Sequence, residues 1–293
     1  MVRTIAEIFW SKFVNQAFSL LKPNGYLVFI HPLSWLSKNS KIHNDILKHH
    51  IIWLKLWDAS MSKEFIKGEI PISIYVLHNV INTDKKTEVI SIFKRQKINM
   101  TSTVYLDKKY SIPLAYHTIF EKLIKFIESK NLQLEYHTKT IKSSEEENKL
   151  PEQYTLEDKL AVSTYRIKDG IMVRKAINVH PDAHKRKLII ANKTSFKGVF
   201  IDDGKLSLTT NHKFYILGDN LQLIKKIFTF KITDIIVNCC KYRQNFLEKE
   251  AFSFIPDIRK LGINDITEED FYKLIELTDD EIELIKNITI QRY

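Results

Sequence analysis

The sequence predicts an α/β protein, with part of a nucleotide-binding type of sheet near the start of the chain and an α+β region after it. Three features lead to that class. A helical apolar repeat runs through a Pro-Asn-Gly turn into a short, wholly apolar strand at 26–30. A second helix-strand pair and a further strand follow before residue 80. Short strand-like segments separated by turn residues then lie between 187 and 217. One absence stands against these signs. Neither Gly-x-Gly nor Gly-x-x-x-x-Gly-Lys occurs anywhere in the 293 residues, and those are the turns that cradle phosphates in such sheets.

Thr4-Ile-Ala-Glu7 has the form of a capping box, and Ile5, Phe9, Phe13, Ala17, Leu20 and Leu21 recur on one helical face. The helix stops at Lys22-Pro23-Asn24-Gly25. Tyr26-Leu-Val-Phe-Ile30 is too short for a helix and has no polar alternation, which predicts a central strand covered on both faces, within an αβ unit of a mostly parallel sheet. His31-Pro32 closes it, and His31 reads as a hydrogen-bonded end-of-strand residue. A second helix is expected over 37–50, strands over 51–57 and 71–77, an irregular loop over 58–70, and an edge strand over 88–93. From 95 to 165 the pattern is polar and helical, with Ala115, Ile119, Leu123, Phe126 and Ile127 on one amphipathic helix and a solvated acidic stretch at 143–148. Strands are expected at 187–191, 198–201, 205–208 and 214–217, split by Asp202-Asp203-Gly204 and Gly218-Asp219-Asn220. Thr267-x-x-Asp270 and Thr278-x-x-Glu281 resemble caps of two short helices in the tail.

With 44% hydrophobic residues the chain has enough apolar surface for packed cores, which excludes a disordered protein. Its 45 Lys and Arg against 35 Asp and Glu give a net charge of +10, which favours an anionic partner. Cys239 and Cys240 are adjacent, so they suit neither a disulfide framework nor a metal site and read as buried small residues. No apolar run is long enough to span a membrane and no signal-like segment follows Met1. A soluble, intracellular protein is expected, in the cytoplasm or with host DNA, with no membrane partner and no metal.

The segments FVNQAFSLLKPNGYLVFIHPLSWL and IIWLKLWDASMSKEFIKGEIPISIYVLHN resemble the second half of the catalytic domain of N6-adenine DNA methyltransferases of the TaqI-like and Eco57I-like group. There a helix and a Pro-Asn-Gly or Pro-Gly-Gly turn lead to a strand ending in a Pro-Ser-x-Trp-like segment, followed by a strand, a loop with an aromatic residue and a final hairpin strand. The segments KLIIANKTSFKGVFIDDGKLSLTTNHKFYILGDN and KYRQNFLEKEAFSFIPDIRKLGI are similar to the target-recognition regions joined to such domains. The resemblance implies an incomplete Rossmann-like methyltransferase sheet followed by an α+β target-recognition domain. It divides the chain into 1–95 (carboxyl-terminal half of the catalytic domain), 96–165 (helical connector) and 166–293 (DNA target recognition).

The resemblance further implies part of a site-specific, S-adenosylmethionine-dependent adenine methyltransferase of restriction-modification type, acting on double-stranded DNA. Family members bind S-adenosylmethionine at a glycine turn and hold the adenine amino group with an Asn/Asp-Pro-Pro-Tyr/Phe loop. This chain has no Pro-Pro pair, so no catalytic residue is assigned and the chain by itself should be inactive. An amino-terminal catalytic subunit, or missing half, is the expected second partner, docking on the first helix and the 26–30 strand. Two alternatives stay open: a non-catalytic, sequence-specific DNA-binding subunit, and a vestigial gene fragment. Phe65 takes the place of the aromatic residue on which the flipped base stacks. Two basic stretches are candidate DNA contacts: Lys185, Arg186 and Lys187 with Lys193 and Lys197, and Lys241, Arg243, Gln244 and Asn245. Lys and Arg neutralise phosphates, while Arg and carboxamides also read base edges. Asp257 and Arg259 are expected to fix a turn.

Overall fold

A computed structural model describes residues 5–58, 70–81, 85–94, 97–138, 160–166, 170–175, 180–191, 199–208, 213–242 and 248–288. The chain divides into two compact units: Met1–Lys122, Ile236–Gln244 and Ile288–Tyr293 in the first, and Leu123–Ile235 and Asn245–Asn287 in the second.

The first unit is built on a mixed five-stranded sheet of β1 (Tyr26–Pro32), β2 (His49–Trp57), β3 (Ile72–Ile81), β4 (Lys86–Phe93) and β5 (Ile98–Tyr105), in the order β1-β3-β2-β4-β5. Strand β3 lies between β1 and β2 and runs antiparallel to both. The β2–β4 pair is parallel and β4–β5 is antiparallel. Helix α1 (Ile5–Leu20) precedes β1 through the Pro-Asn-Gly turn. Asn24 takes a left-handed φ of 58°, which asparagine tolerates better than most residues, and a Cβ on Gly25 would stand 2.9 Å from the Lys22 carbonyl. Asn79 of β3 clamps that turn. Its side-chain amide donates to the carbonyls of Lys22 (2.8 Å) and Leu21 (3.2 Å), and its backbone N–H donates to Gly25 (2.8 Å).

Helix α1 packs through Trp10, stacked on His31 at 4.7 Å, through fully buried Val14, and through Phe18 against His49 at 5.0 Å. After β1 the chain makes a 3₁₀ turn, Leu33–Leu36, whose Trp35 indole donates to Ser73 Oγ at 2.8 Å while the Ser73 hydroxyl donates to the His31 carbonyl at 3.3 Å. The Pro-Ser-x-Trp-like segment is therefore a packing device that ties the end of β1 to β3. His31 lies among Trp10, Phe29, Trp35 and Tyr75. Its Nδ1 faces the Pro32 carbonyl at 3.1 Å and its Nε2 faces the Tyr75 hydroxyl at 3.3 Å, so the tautomer with the proton on Nδ1 satisfies both.

Several expectations change here. Strand β1 is an edge strand, with Tyr26, Val28 and Ile30 exposed at 62%, 63% and 53%, where a central strand covered on both faces was expected. An apolar run records only that apolar side chains point both ways, and it cannot say that both faces are covered. The sheet is mixed, because β3 turns back between β1 and β2. The helix expected over 37–50 shrinks to α2 (His43–Leu47): Ser37, Ser40 and Ile42 are used in turns, and β2 has begun by His49. The 88–93 strand is not an edge, since β5 covers it, and β5 lies in the stretch read as a helical connector. The alternating exposure of β5 rests on Thr, Asn and Ser, which hides its period from an apolar count.

The amphipathic helix is found as α3 (His117–Ser129), with Ile119, Leu123, Phe126 and Ile127 buried. The second unit holds two three-stranded sheets. One has the order β10-β6-β7, from β6 (Leu160–Arg166), β7 (Gly170–Lys175) and β10 (Ser207–Leu208). The other, β11-β8-β9, joins β8 (Arg186–Ala191), β9 (Val199–Asp203) and β11 (Lys213–Leu217). Ile189, Phe200, Leu208 and Tyr215 pack together at their centre. Helices α4 (Leu221–Ile227), α5 (Lys231–Cys239), α6 (Glu268–Leu274) and α7 (Asp279–Asn287) follow. Thr267 caps α6 by accepting from the Asp270 N–H, and Thr278 and Glu281 exchange hydrogen bonds as a capping box does. Cys239 and Cys240 are buried and unbridged, and burial pushes the Cys239 thiol up to about 12. Among the described residues no helix is long and apolar enough to cross a membrane.

Burial holds the imidazoles of His31 and His117 down at about 4, against smaller upward effects of hydrogen bonds to the Pro32 and Pro113 carbonyls. The unfolded chain titrates these groups near 6.5, so between about pH 6.5 and 4 it binds more protons than the folded chain. Stability present above pH 6.5 is therefore lost as pH falls through that window, by on the order of 3 kcal/mol per histidine. Urea unfolding followed from about pH 7 to pH 4 should show this decline. His31→Gln and His117→Gln should each lower stability at neutral pH and flatten the slope.

Candidate nucleic-acid interface

The first basic stretch lies at the start of β8, and hairpin pairing with β9 decides what its charges do. In the antiparallel register Arg186 stands opposite Asp203 and Lys187 opposite Asp202. Arg186 Nε donates to Asp203 Oδ1 at 2.9 Å on the surface, and Lys185 Nζ meets Asp182 Oδ1 at 2.7 Å, three residues back along the chain. Both cations remain solvent-accessible, with side chains 51% and 62% exposed, so a phosphate has to compete there with a carboxylate already in place.

Lys187 is different in kind. Its side chain is fully buried, and its ammonium donates to Asp202 Oδ2 (2.6 Å), the Ala183 carbonyl (2.8 Å) and the Lys185 carbonyl (3.1 Å). Asp202 also accepts the N–H groups of Lys205 (3.1 Å) and Leu206 (3.2 Å), so the pair holds the β9–β10 turn to the first residues of β8. All three ammonium donors are used inside the protein. Lys187 thus leaves the set of phosphate contacts, because a charge at that depth presents nothing to a ligand outside.

Beside this pair Asp182 accepts from the Tyr215 hydroxyl at 2.6 Å, and its N–H donates to His180 Nδ1 at 3.0 Å. Burial acts to raise the Asp182 carboxyl, but the hydrogen bonds from Lys185 and Tyr215, with the charges of Lys185 and His180, hold it below the usual carboxylate range. Burial first, then the bond to ionised Asp182, pushes the Tyr215 phenol well above its ordinary value. His137 stacks on the Tyr215 ring at 5.0 Å, and the two backbones bridge each other. The group is a polar brace across β8 and β11. Asp182, Asp202 and Asp203 are the residues that sequence reasoning missed, and two signals pointed to them. Asp182 lies three residues before Lys185, and Asp202-Asp203-Gly204 closes a hairpin whose other arm begins Arg186-Lys187.

Of the second basic stretch, Lys241 follows α5 in the first unit, where its ammonium donates to Asn238 Oδ1 at 2.8 Å. Arg243, Gln244 and Asn245 lie outside the described residues, as do Lys193, Lys197 and Phe65. Lys185, Arg186 and Lys187 belong to the second unit and Lys241 to the first. Asp257 and Arg259 do fix a turn. The guanidinium pairs with both Asp257 oxygens (2.7 and 2.8 Å), and its remaining nitrogen donates to the carbonyls of Leu217 (3.0 Å) and Asp219 (3.2 Å).

No family model and no curated protein matches the chain.

The burial difference predicts a difference in stability. Lys187→Met leaves Asp202 as an unpaired buried carboxylate and should cost about 3–5 kcal/mol. Lys185→Ala and Arg186→Ala break exposed pairs and should each cost about 1 kcal/mol or less. Urea denaturation midpoints of the three variants test this, and equal losses at all three positions would contradict the assignment of Lys187 to the interior.

Proposed function

We propose that the chain is the carboxyl-terminal part of a site-specific DNA adenine-N6 methyltransferase, supplying half of the catalytic sheet and the DNA target-recognition region. The observation that carries this reading is the path of the first unit. A helix and a Pro-Asn-Gly turn enter β1, a Pro32-Leu33-Ser34-Trp35 turn leaves it, and β3 returns antiparallel along β2, in the order that the resemblance implies. The outer edge of β1 supports the same reading. Among the described residues it pairs with β3 alone, Tyr26, Val28 and Ile30 are exposed on one face of the strand, and Phe13 and Leu20 of α1 are 66% and 74% exposed. An unpaired edge with apolar flanks and no charged side chain on the strand invites further strands. A polypeptide carrying the missing part of the sheet fits there.

S-adenosylmethionine is the methyl donor of such enzymes, and the residues present do not fit it. Among the described residues one glycine turn leads from a strand into a helix, Gly218 between β11 and α4. The Arg259 guanidinium fills it, 3.1 Å from where a Cβ on Gly218 would stand. No donor fits over that turn. On this reading the transfer chemistry is supplied by a partner polypeptide, and the chain's role is to complete the sheet and to hold the duplex through Lys185, Arg186 and the segment that follows Lys241. That misfit equally favours a second reading, a DNA-binding subunit that never joins a catalytic half.

The purified chain should transfer only background label from radioactive S-adenosylmethionine to adenine-containing duplex DNA. It should nevertheless bind the duplex with a steep salt dependence, because lysine and arginine contacts release counterions. Clear incorporation by the chain alone would overturn the division of labour. A chain with no affinity for duplex DNA at low salt would overturn the DNA reading altogether. Activity that appears on adding a polypeptide with the glycine turn and the Pro-Pro loop separates the split enzyme from the binding subunit.

A further inference from the structure

We infer that the cleft between α4 and the Asn264–Asp265 segment of the second unit is a duplex-DNA subsite, in which Gln222 and Asn264 meet a base edge and Lys225 meets a phosphate. The inference rests on the DNA-binding reading above and adds a site that the sequence did not suggest. The cleft measures about 320 Å³ and is lined by Gln222, Leu223, Lys225, Lys226, Thr229, Asn264 and Asp265.

Six of the seven lining residues carry a polar group at the end of the side chain. Leu223 is buried, so the remaining side chains stand on an apolar base. Lys226 is tied to Asp265 at 2.6 Å, and the hydrogen bond from Lys226 holds that carboxyl below the usual range, so the one acid of the cleft stays ionised and matched. The Thr229 hydroxyl donates to the Lys226 carbonyl at 2.6 Å. Among the described residues the side chains of Gln222, Lys225 and Asn264 have no hydrogen-bonded or ionic partner, and each residue is at least partly exposed. The cleft thus offers two free carboxamides and one unmatched positive charge. A carboxamide presents a donor and an acceptor side by side, the arrangement that pairs with N6 and N7 of adenine in the major groove, and an ammonium beside it suits the neighbouring phosphate. The open shape suits an edge of a larger polymer. A small free ligand would be left mostly in water, where dedicated pockets bury most of their ligand. The pairing of Lys185 and Arg186 with aspartates, and the burial of Lys187, make the free charge of Lys225 the more telling.

The test uses the full chain. A pool of duplexes with a randomised centre is selected on it, and the affinity for the selected duplex is compared with that for a scrambled one by fluorescence anisotropy at two salt concentrations. Gln222→Ala and Asn264→Ala should reduce the ratio of the two affinities roughly 5- to 100-fold. Lys225→Ala should weaken both duplexes alike and reduce the salt slope by about one. All three side chains are at the surface, so unchanged thermal midpoints should accompany these effects. If the double variant Gln222→Ala/Asn264→Ala keeps full selectivity while still binding DNA, the cleft is not the reader and the DNA reading stands. No binding of any duplex by the unmodified chain defeats both. Displacement of the duplex by adenosine monophosphate or by polyglutamate, with loss of that displacement in the variants, would assign the cleft to a free nucleotide or an acidic peptide and overturn the inference.

Discussion

Strand β3 has a partner on each of its edges, β1 on one and β2 on the other, and most of the first unit follows from that constraint. It is reached from β2, so it turns back and runs antiparallel to it. It then lies between β2 and β1, which puts β1 at the end of the sheet, with no second strand beside it among the described residues. The side chains of β3 also order the segments at the two ends of β1. Asn79 closes the Pro-Asn-Gly turn, Ser73 ties Trp35 to His31, and Tyr75 caps the His31 imidazole. Loosening β3 would free the entry and the exit of β1 together.

In the second unit charge is governed by the hairpin of β8 and β9. A register that places Arg186 opposite Asp203 and Lys187 opposite Asp202 turns a run of three cations into one buried pair and two surface pairs. A buried lysine is tolerable only because every donor is met, and the same carboxylate holds the backbone of the next turn. The net charge of +10 is thus a poor map of where an anion binds. The local balance of each cation against its nearest carboxylate decides that. By this measure Lys225 is more available than Lys187, although Lys187 sits in the most basic run of the chain.

The sequence by itself determined the elements whose cause is local. The α3 stripe, the Thr267 and Thr278 caps, the Pro-Asn-Gly turn, the short strands from 186 to 217 and the Asp257–Arg259 turn were all legible, because periodicity, capping hydroxyls and turn residues act within a few positions of one another. Tertiary structure alone decided the rest. That β1 lies at an edge depends on which strand pairs with it from over forty residues away, and that Lys187 is buried depends on a hairpin register that brings Asp202 across from it. An apolar strand and a basic run read the same in sequence whether covered or open, since burial is a property of the neighbours that long-range pairing brings to a residue and not of the residue itself.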